Sequence, residues 1–344
     1  MKKSKLSVAL LTACMAATLL AGCGDKKTET TEATTEATTE AATEAATTTE
    51  ATVADATASE ADADEDENYE TGDASLDNVR NQDEIGDNEL LVVSFGTSFN
   101  DSRRLTIGAI EDKLDEEFGK DYSVRRGFTS QIIIDHVKRR DGIAIDNMAE
   151  ALDRAVDNGV KNLVIQPTHL MNGLEYTDVV NEVGDYADAF DQVVIGDPLL
   201  TSDEDFDEVV KAITDATAEY DDGETAICFM GHGTEADSNE VYQKMQDKLT
   251  DAGFENYFVG TVEATPSVDD VLAKVQAGDY KKVVLEPLMI VAGDHANNDM
   301  AGDETTFEDA GYDVTCLVRG LGELPAIQDI FVKHAQAAID KLNK

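Results

Sequence analysis

Cysteine is scarce in this chain. Four cysteines occur among 344 residues, and only Cys228 and Cys316 lie beyond the first 30 positions. Both stand inside apolar runs typical of strands, so we expect them to be core residues. Because the chain has no CxxC pair, the sequence excludes a disulfide framework and a cysteine-based metal site.

Positive charge is scarce as well. The chain has 27 Lys and Arg against 72 Asp and Glu, which gives a formal net charge of −45. Residues 90–344 alone hold 51 of those acids and 21 of the bases, or −30. A domain this acidic repels nucleic acid and attracts cations. We therefore predict no nucleic-acid partner.

Several catalytic motifs are missing. The sequence contains no P-loop, no GxSxG elbow and no HExxH helix. The first candidate strand is followed by the string FGTS, whose single glycine does not match the several glycines of a dinucleotide-binding fingerprint. We expect that no nucleotide takes part in the function.

An apolar run near the N-terminus is too short for a membrane span, which needs about 20 residues. It covers residues 6–20 and follows a lysine-rich start, so we interpret residues 1–22 as a signal peptide. The following Cys23 completes the string LAGC, which resembles the bacterial lipobox and implies lipid attachment to that cysteine. We expect an exported lipoprotein, anchored to the cell membrane with its domain on the extracytoplasmic side. The alternative is an ordinary signal peptide with an incidental cysteine.

Residues 23–89 form a low-complexity stretch of Thr, Glu, Ala and Asp. It offers almost nothing to bury, so its composition predicts a disordered acidic tether.

From residue 90 the chain alternates apolar β runs with amphipathic helical patterns, which favours a parallel sheet covered by helices. The candidate strands are residues 90–95, 122–128, 162–169, 192–197, 225–231, 257–263, 282–288 and 313–320.

The two halves of this region resemble each other. LLVVSFGTS at 90–98 parallels AICFMGHGT at 226–234, and LVIQPTHLMNGLE at 163–175 parallels VVLEPLMIVAGDH at 283–295. The matches predict an internal duplication, with an N-terminal α/β lobe at 90–221 and a C-terminal α/β lobe at 222–344. The alignment places Phe95 opposite His232 and Glu175 opposite His295.

Polar side chains gather at the predicted carboxyl ends of strands, where ligands bind in such sheets. His169, His232, Glu263 and His295 all stand at or just past such an end. Two imidazoles and a carboxylate suit Co²⁺, Ni²⁺, Fe²⁺ or Zn²⁺, and an open position would let the ion leave. Each residue taken singly also has a structural interpretation. The two other histidines of the domain, His136 and His334, are expected at the surface.

Six strings carry a resemblance to the anaerobic, CbiK-type cobalt chelatases of the class II chelatase superfamily: LLVVSFGTSFNDSR, GFTSQIII, PTHLMNGLEY, FMGHGTE, VGTVEATPSVDDV and PLMIVAGDHANNDMAGD. The resemblance implies two similar α/β lobes. It also implies nucleotide-free insertion of Co²⁺ into sirohydrochlorin, with Ni²⁺ or Fe²⁺ as other metals, in anaerobic cobalamin biosynthesis.

Position by position, the resemblance implies that His232, Glu263 and His295 bind the metal and that His232 accepts a pyrrole proton. Glu175 takes the family's acidic position beside the cleft. Where the family often has a second histidine after GHGT, this chain reads TEADSNEVY.

Sirohydrochlorin is a polycarboxylate, so basic residues should hold it. We predict that role for Arg103, Arg104, Arg125 and Arg126, with solvated surface charge as the alternative.

Because sirohydrochlorin is made in the cytosol, the predicted export leaves a second function open. In it the fold is a surface tetrapyrrole- or metal-binding lipoprotein that serves uptake without turnover. The sequence is also compatible with a homo-oligomer.

Overall fold

The computed structural model describes residues 71–342, except the side chains of Asp294, His295, Asp299 and Ala301. The predicted signal peptide, the lipidation site Cys23 and most of the predicted tether lie outside the described residues. Among residues 71–342, no helix has both the length and the apolar character that a membrane crossing needs.

Two parallel four-stranded sheets organise the described residues, in the orders β2-β1-β3-β4 and β6-β5-β7-β8. The strands are apolar on both faces because helices cover both faces of each sheet. The two strand orders are equivalent, which confirms the predicted pair of similar α/β lobes. The strands are β1 (Asn88–Ser94), β2 (Ser123–Phe128), β3 (Asn162–Pro167), β4 (Gln192–Ile195), β5 (Thr225–Gly231), β6 (Tyr257–Thr261), β7 (Lys282–Pro287) and β8 (Asp313–Cys316).

In the part of the chain that the structure describes, four α-helices begin at side chains that cap free N–H groups, those of Ser130, Asn147, Ser202 and Ser267. Asn147, Ser202 and Ser267 each form a reciprocal capping box with an acid three residues on. A π-helical segment, Arg104–Gly108, joins the first two helices. The helices are α1 (Asn100–Arg103), α2 (Ala109–Phe118), α3 (Gln131–Asp141), α4 (Met148–Asp157), α5 (Leu174–Tyr186), α6 (Asp203–Thr217), α7 (Glu240–Asp251), α8 (Val268–Gln276), α9 (Asp294–Asn297), α10 (Asp299–Asp309) and α11 (Pro325–Leu342).

The two lobes share a hydrophobic core through exchanged helices. The last helix, α11, packs on β3 and β4 of the first sheet. In the other direction α6 packs against α7 of the second lobe, and its Thr217 hydroxyl lies 3.1 Å from the Tyr257 hydroxyl of β6. Leu90 and Val92 of the first sheet therefore belong to the same buried cluster as Phe229 of the second. The predicted division at residue 221 lies between β4 and β5, and α6 and α11 each pack across it.

Residues 71–89 are part of the folded domain, which corrects the predicted tether boundary at residue 89. Ile85 is 4% exposed and belongs to a core cluster of the first lobe. The Asp77 carboxylate lies 2.7 Å from both Arg103 Nε and Arg126 Nη1. These contacts cannot be predicted from the composition of the stretch, because charged residues such as Asp77 make them and the partners lie far along the chain.

Candidate active site

The carboxyl ends of the two sheets face each other across a cleft. The Ala292 N–H, after β7, donates to Ser102 Oγ of α1 at 3.0 Å. Gly293 lies against Thr97, so that a β-carbon there would be 3.2 Å from Thr97 Oγ1. These contacts join loops that follow strands of opposite lobes. They place the loops that follow the strands of one sheet against those of the other, as the repeat predicts.

Two glycines shape the position of His232, at the end of β5. A β-carbon at Gly231 would lie 2.0 Å from the Tyr242 ring. Gly233 has φ +90°, and a β-carbon there would lie 2.7 Å from Ala264 Cβ. Only glycine fits both positions, because one has no room and the other combines a left-handed φ with close packing. No side chain of a flanking residue covers the imidazole of His232, which is 44% exposed.

Glu263, two residues past β6, faces His232. Its backbone N–H donates to the His232 carbonyl at 2.9 Å, and its Oε2 lies 3.8 Å from His232 Nε2. His232 Nδ1 lies 2.9 Å from the Gly233 carbonyl oxygen. Because a carbonyl only accepts, Nδ1 carries the proton of the neutral ring and Nε2 keeps its lone pair. Nε2 is therefore the atom that can bind a metal or accept a proton.

Glu175 lies in the first turn of α5, in the first lobe. Desolvation by the surrounding residues of the cleft raises the pKa of its carboxyl group, although the side chain is 56% exposed. Glu175 Oε2 also lies 3.9 Å from Nε2 of His169, which follows β3 and is 6% exposed. Burial lowers the pKa of His169 to about 4, so this ring is neutral at pH 7.

His295 stands in α9, after β7, just as Glu175 follows β3. Its side chain is outside the described residues. Among the side chains that are described, no three His, Cys, Asp or Glu gather as a metal site. His232 and Glu263 form a pair, and the full predicted set with His295 stays a prediction.

Three of the four arginines predicted to hold substrate are buried, and that prediction is wrong for them. Arg103, Arg125 and Arg126 are 0% exposed. Their partners are acids of the first lobe: Asp77 for Arg103, Glu89 and Asp146 for Arg125, and Glu111 and Asp77 for Arg126. Breaking a buried pair by removing one partner costs about 3–5 kcal/mol, so these pairs are structural.

Arg104 differs from these three arginines. It is 35% exposed and lies 3.1 Å from Asp101 in the same helical region. Its contact with substrate stays a prediction.

The expectation of surface positions for His136 and His334 is also wrong. His136 is 4% exposed, next to Arg140. His334 is 9% exposed, and its Nε2 lies 3.0 Å from Asp205 Oδ1. Both helices look amphipathic in the sequence, but His334 faces Asp205 of α6, and the ring of His136 lies near Arg139 and Arg140 of its own helix.

Sequence reasoning missed Tyr242. It is 1% exposed, and its hydroxyl oxygen accepts the Gly233 N–H at 3.2 Å. Burial raises its pKa, and the charge of Glu175 adds to that effect. Tyr242 thus supports the loop that carries His232. The only signal in the sequence is its place one turn into the helix after GHGT.

Residues 88–340 match the family model for cobalt chelatase (CbiK). The chain belongs to this family. It is 37% identical over 256 residues to the sirohydrochlorin cobaltochelatase of Salmonella typhimurium, covering 73% of this chain and 96% of that protein. It is 28% identical over 281 residues to the sirohydrochlorin cobaltochelatase CbiKC of Nitratidesulfovibrio vulgaris, covering 78% and 97%.

Solved chelatase structures share the fold of this family member. SirB from Bacillus subtilis with Fe³⁺ gives a TM-score of 0.57 at 13% identity, covering 75% of this chain and 98% of that chain. SirB from Bacillus subtilis subspecies spizizenii in complex with cobalt gives 0.53 at 13% identity, covering 75% and 97%. At this identity the likeness shows the fold alone.

We predict that His169 makes the domain acid-sensitive. Its folded pKa of about 4 lies below the usual value of 6.5, so in that interval the unfolded chain binds more protons. The stability linked to the neutral ring is fully present above pH 6.5 and is lost as the pH falls through 4. The total amounts to about 3 kcal/mol.

His169→Leu removes this effect. Between pH 7.5 and pH 4, the free energy of unfolding from urea titrations should shift by about 3 kcal/mol in favour of the variant relative to wild type. Met289→Leu, at the equivalent position of the second lobe, is the control and should keep a constant difference. A constant difference for His169→Leu as well would contradict the prediction.

Proposed function

We propose that this protein inserts Co²⁺ into sirohydrochlorin, or a related tetrapyrrole, without a nucleotide, as a step of anaerobic cobalamin biosynthesis. One observation carries the proposal. His232 Nε2, the unprotonated nitrogen of an imidazole fixed through Nδ1, faces the cleft beside Glu263. This arrangement occurs in a member of the cobalt chelatase family, whose relatives named above are sirohydrochlorin cobaltochelatases.

The reaction exchanges one Co²⁺ for two pyrrole protons. His232 Nε2 and the Glu263 carboxylate replace water on the hydrated ion, with His295 as the predicted third ligand. Imidazole suits borderline ions such as Co²⁺, Ni²⁺ and Fe²⁺, and an open coordination position lets the ion leave. The macrocycle, lying between the lobes, then takes the ion from the pair.

Proton removal follows from the same geometry. As the ion passes to the macrocycle, the lone pair of His232 Nε2 accepts one pyrrole proton. The Glu175 carboxylate accepts the other. Partial desolvation in the cleft raises its pKa, and a carboxylate with a raised pKa holds a proton more firmly at neutral pH. The two protons then leave to solvent, and the metallated product carries two fewer hydrogens.

Turnover of sirohydrochlorin tests this proposal. With excess Co²⁺ and sirohydrochlorin, without oxygen, the wild-type chain should give many turnovers, followed by the absorbance of the macrocycle. His232→Ala should lower kcat by about 10²–10⁴-fold, because it removes both a metal ligand and a proton acceptor. Lys211→Ala, on the exposed face of α6, is the control and should retain the wild-type rate.

An absorbance change that stops at one equivalent of wild-type protein would contradict catalysis. It would favour the second candidate function, a surface tetrapyrrole- or metal-binding protein that serves uptake.

We also propose that the chain is exported and anchored through lipid on Cys23, with the domain on the extracytoplasmic side. The support is the lysine-rich start, the short apolar run and the string LAGC at residues 20–23. A tether of acidic residues would then separate the domain from the membrane. Self-association into a homo-oligomer stays a prediction.

Replacing the anchor cysteine tests this localisation. Cys23→Ser should move the protein from the membrane fraction to the soluble fraction of a lipoprotein-processing bacterial host, measured by immunoblot after fractionation. Cys14→Ser, inside the predicted signal peptide, is the matched control and should leave the protein in the membrane fraction. Membrane retention of Cys23→Ser would refute the anchor.

A further inference from the structure

His169 is a buried polar side chain without a partner. The residue is 6% exposed, and neither ring nitrogen has a hydrogen-bond partner among the described residues. Native proteins satisfy most buried polar atoms, because an unpaired one keeps the cost of leaving water without a compensating bond. An imidazole with both nitrogens unpaired therefore calls for a function.

The backbone holds this ring in place. The His169 carbonyl accepts the Leu199 N–H at 3.0 Å. The hydroxyl of the preceding Thr168 lies 2.7 Å from the hydroxyl of Ser94, at the end of β1. Fixed in this way, the ring directs Nε2 towards Glu175, whose Oε2 is 3.9 Å away.

The distance to Glu175 is too long for a hydrogen bond but short enough to close by a side-chain movement. Glu175 is free to make it, since its side chain is 56% exposed and stands in the first turn of α5. A neutral imidazole has one N–H to donate, and a carboxylate is a strong acceptor.

We infer that His169 is a positioning residue for Glu175: its Nε2–H donates to Glu175 Oε2 when the macrocycle fills the cleft, and so directs Oε1 to the pyrrole N–H. The inference rests on the proposed function for the proton that Glu175 accepts. In that step the N–H bond of the pyrrole breaks and an O–H bond forms on Oε1. His169 keeps its own proton throughout.

The second lobe lacks this device. The residue at the equivalent place, two positions after Pro287, is Met289. There the carboxylate partner of the cleft, Glu263, stands beside the half-exposed His232 instead, at 3.8 Å. Each lobe thus supplies one imidazole–carboxylate pair. The exposed ring is suited to the metal, while the buried ring is suited to orient its carboxylate.

A double-mutant cycle tests the inference with sirohydrochlorin and Co²⁺. His169→Leu should lower kcat by about 10–100-fold, as expected when the orienting partner of a reacting group is removed, with little change in KM. His169→Gln retains an N–H donor and should recover most of the rate. The double variant with Glu175→Ala should be no slower than Glu175→Ala alone. Losses that multiply in the double variant, or a wild-type kcat for His169→Leu, would overturn the inference.

A second measurement does not depend on turnover. In ¹⁵N-histidine-labelled protein with metal-free sirohydrochlorin bound, the Nε2 resonance of His169 should change as Glu175 ionises, and it should be invariant in Glu175→Ala. An invariant resonance in the wild type would overturn the inference even if the enzyme turns over. The expected resonance change in a protein without turnover would leave the inference standing and refute only the proposed function.

Discussion

The exchange of helices between the lobes is the constraint on which the rest of the structure depends. Because α11 returns to pack on the first sheet and α6 packs against α7 of the second lobe, one buried cluster contains residues of both sheets. A close-packed core of this kind resists sliding of one lobe past the other. The carboxyl ends of the strands are therefore held face to face, and residues far apart in sequence, such as Glu175 and His232, share one cleft.

The two walls of the cleft have different chemistry although they derive from one pattern. In the second lobe the glycines around His232 leave an accessible imidazole, so that wall suits a metal ion. In the first lobe Phe95 takes the equivalent position, and the polar groups are Glu175 and the buried His169. Metal insertion requires both a group that delivers the ion and a group that accepts a proton. The second lobe supplies the first of these groups, and the first lobe supplies the other.

The sequence predicted the strands, the duplication and the strand-end residues well, because apolar periodicity and local repeats record them directly. The predictions from the sequence failed where the position of a residue depends on a partner far along the chain. The sequence predicted Arg125 and Arg126 as substrate-binding residues or solvated surface charges, yet Arg126 pairs with Asp77, which lies 49 residues away. The exchanged helices and the folded stretch before residue 89 were missed for the same reason, since nothing local marks their partners. Tyr242 and the buried state of His169 likewise depend on packing across elements.

The central claim is that His232 presents its Nε2 lone pair to the metal. Cobalt K-edge X-ray absorption of the Co²⁺-loaded protein measures it most directly, because imidazole ligands give a distinct multiple-scattering signal. His232→Ala should lose one imidazole from the cobalt coordination shell, while the Lys211→Ala control should keep the wild-type spectrum. An unchanged number of imidazole ligands in His232→Ala would contradict it.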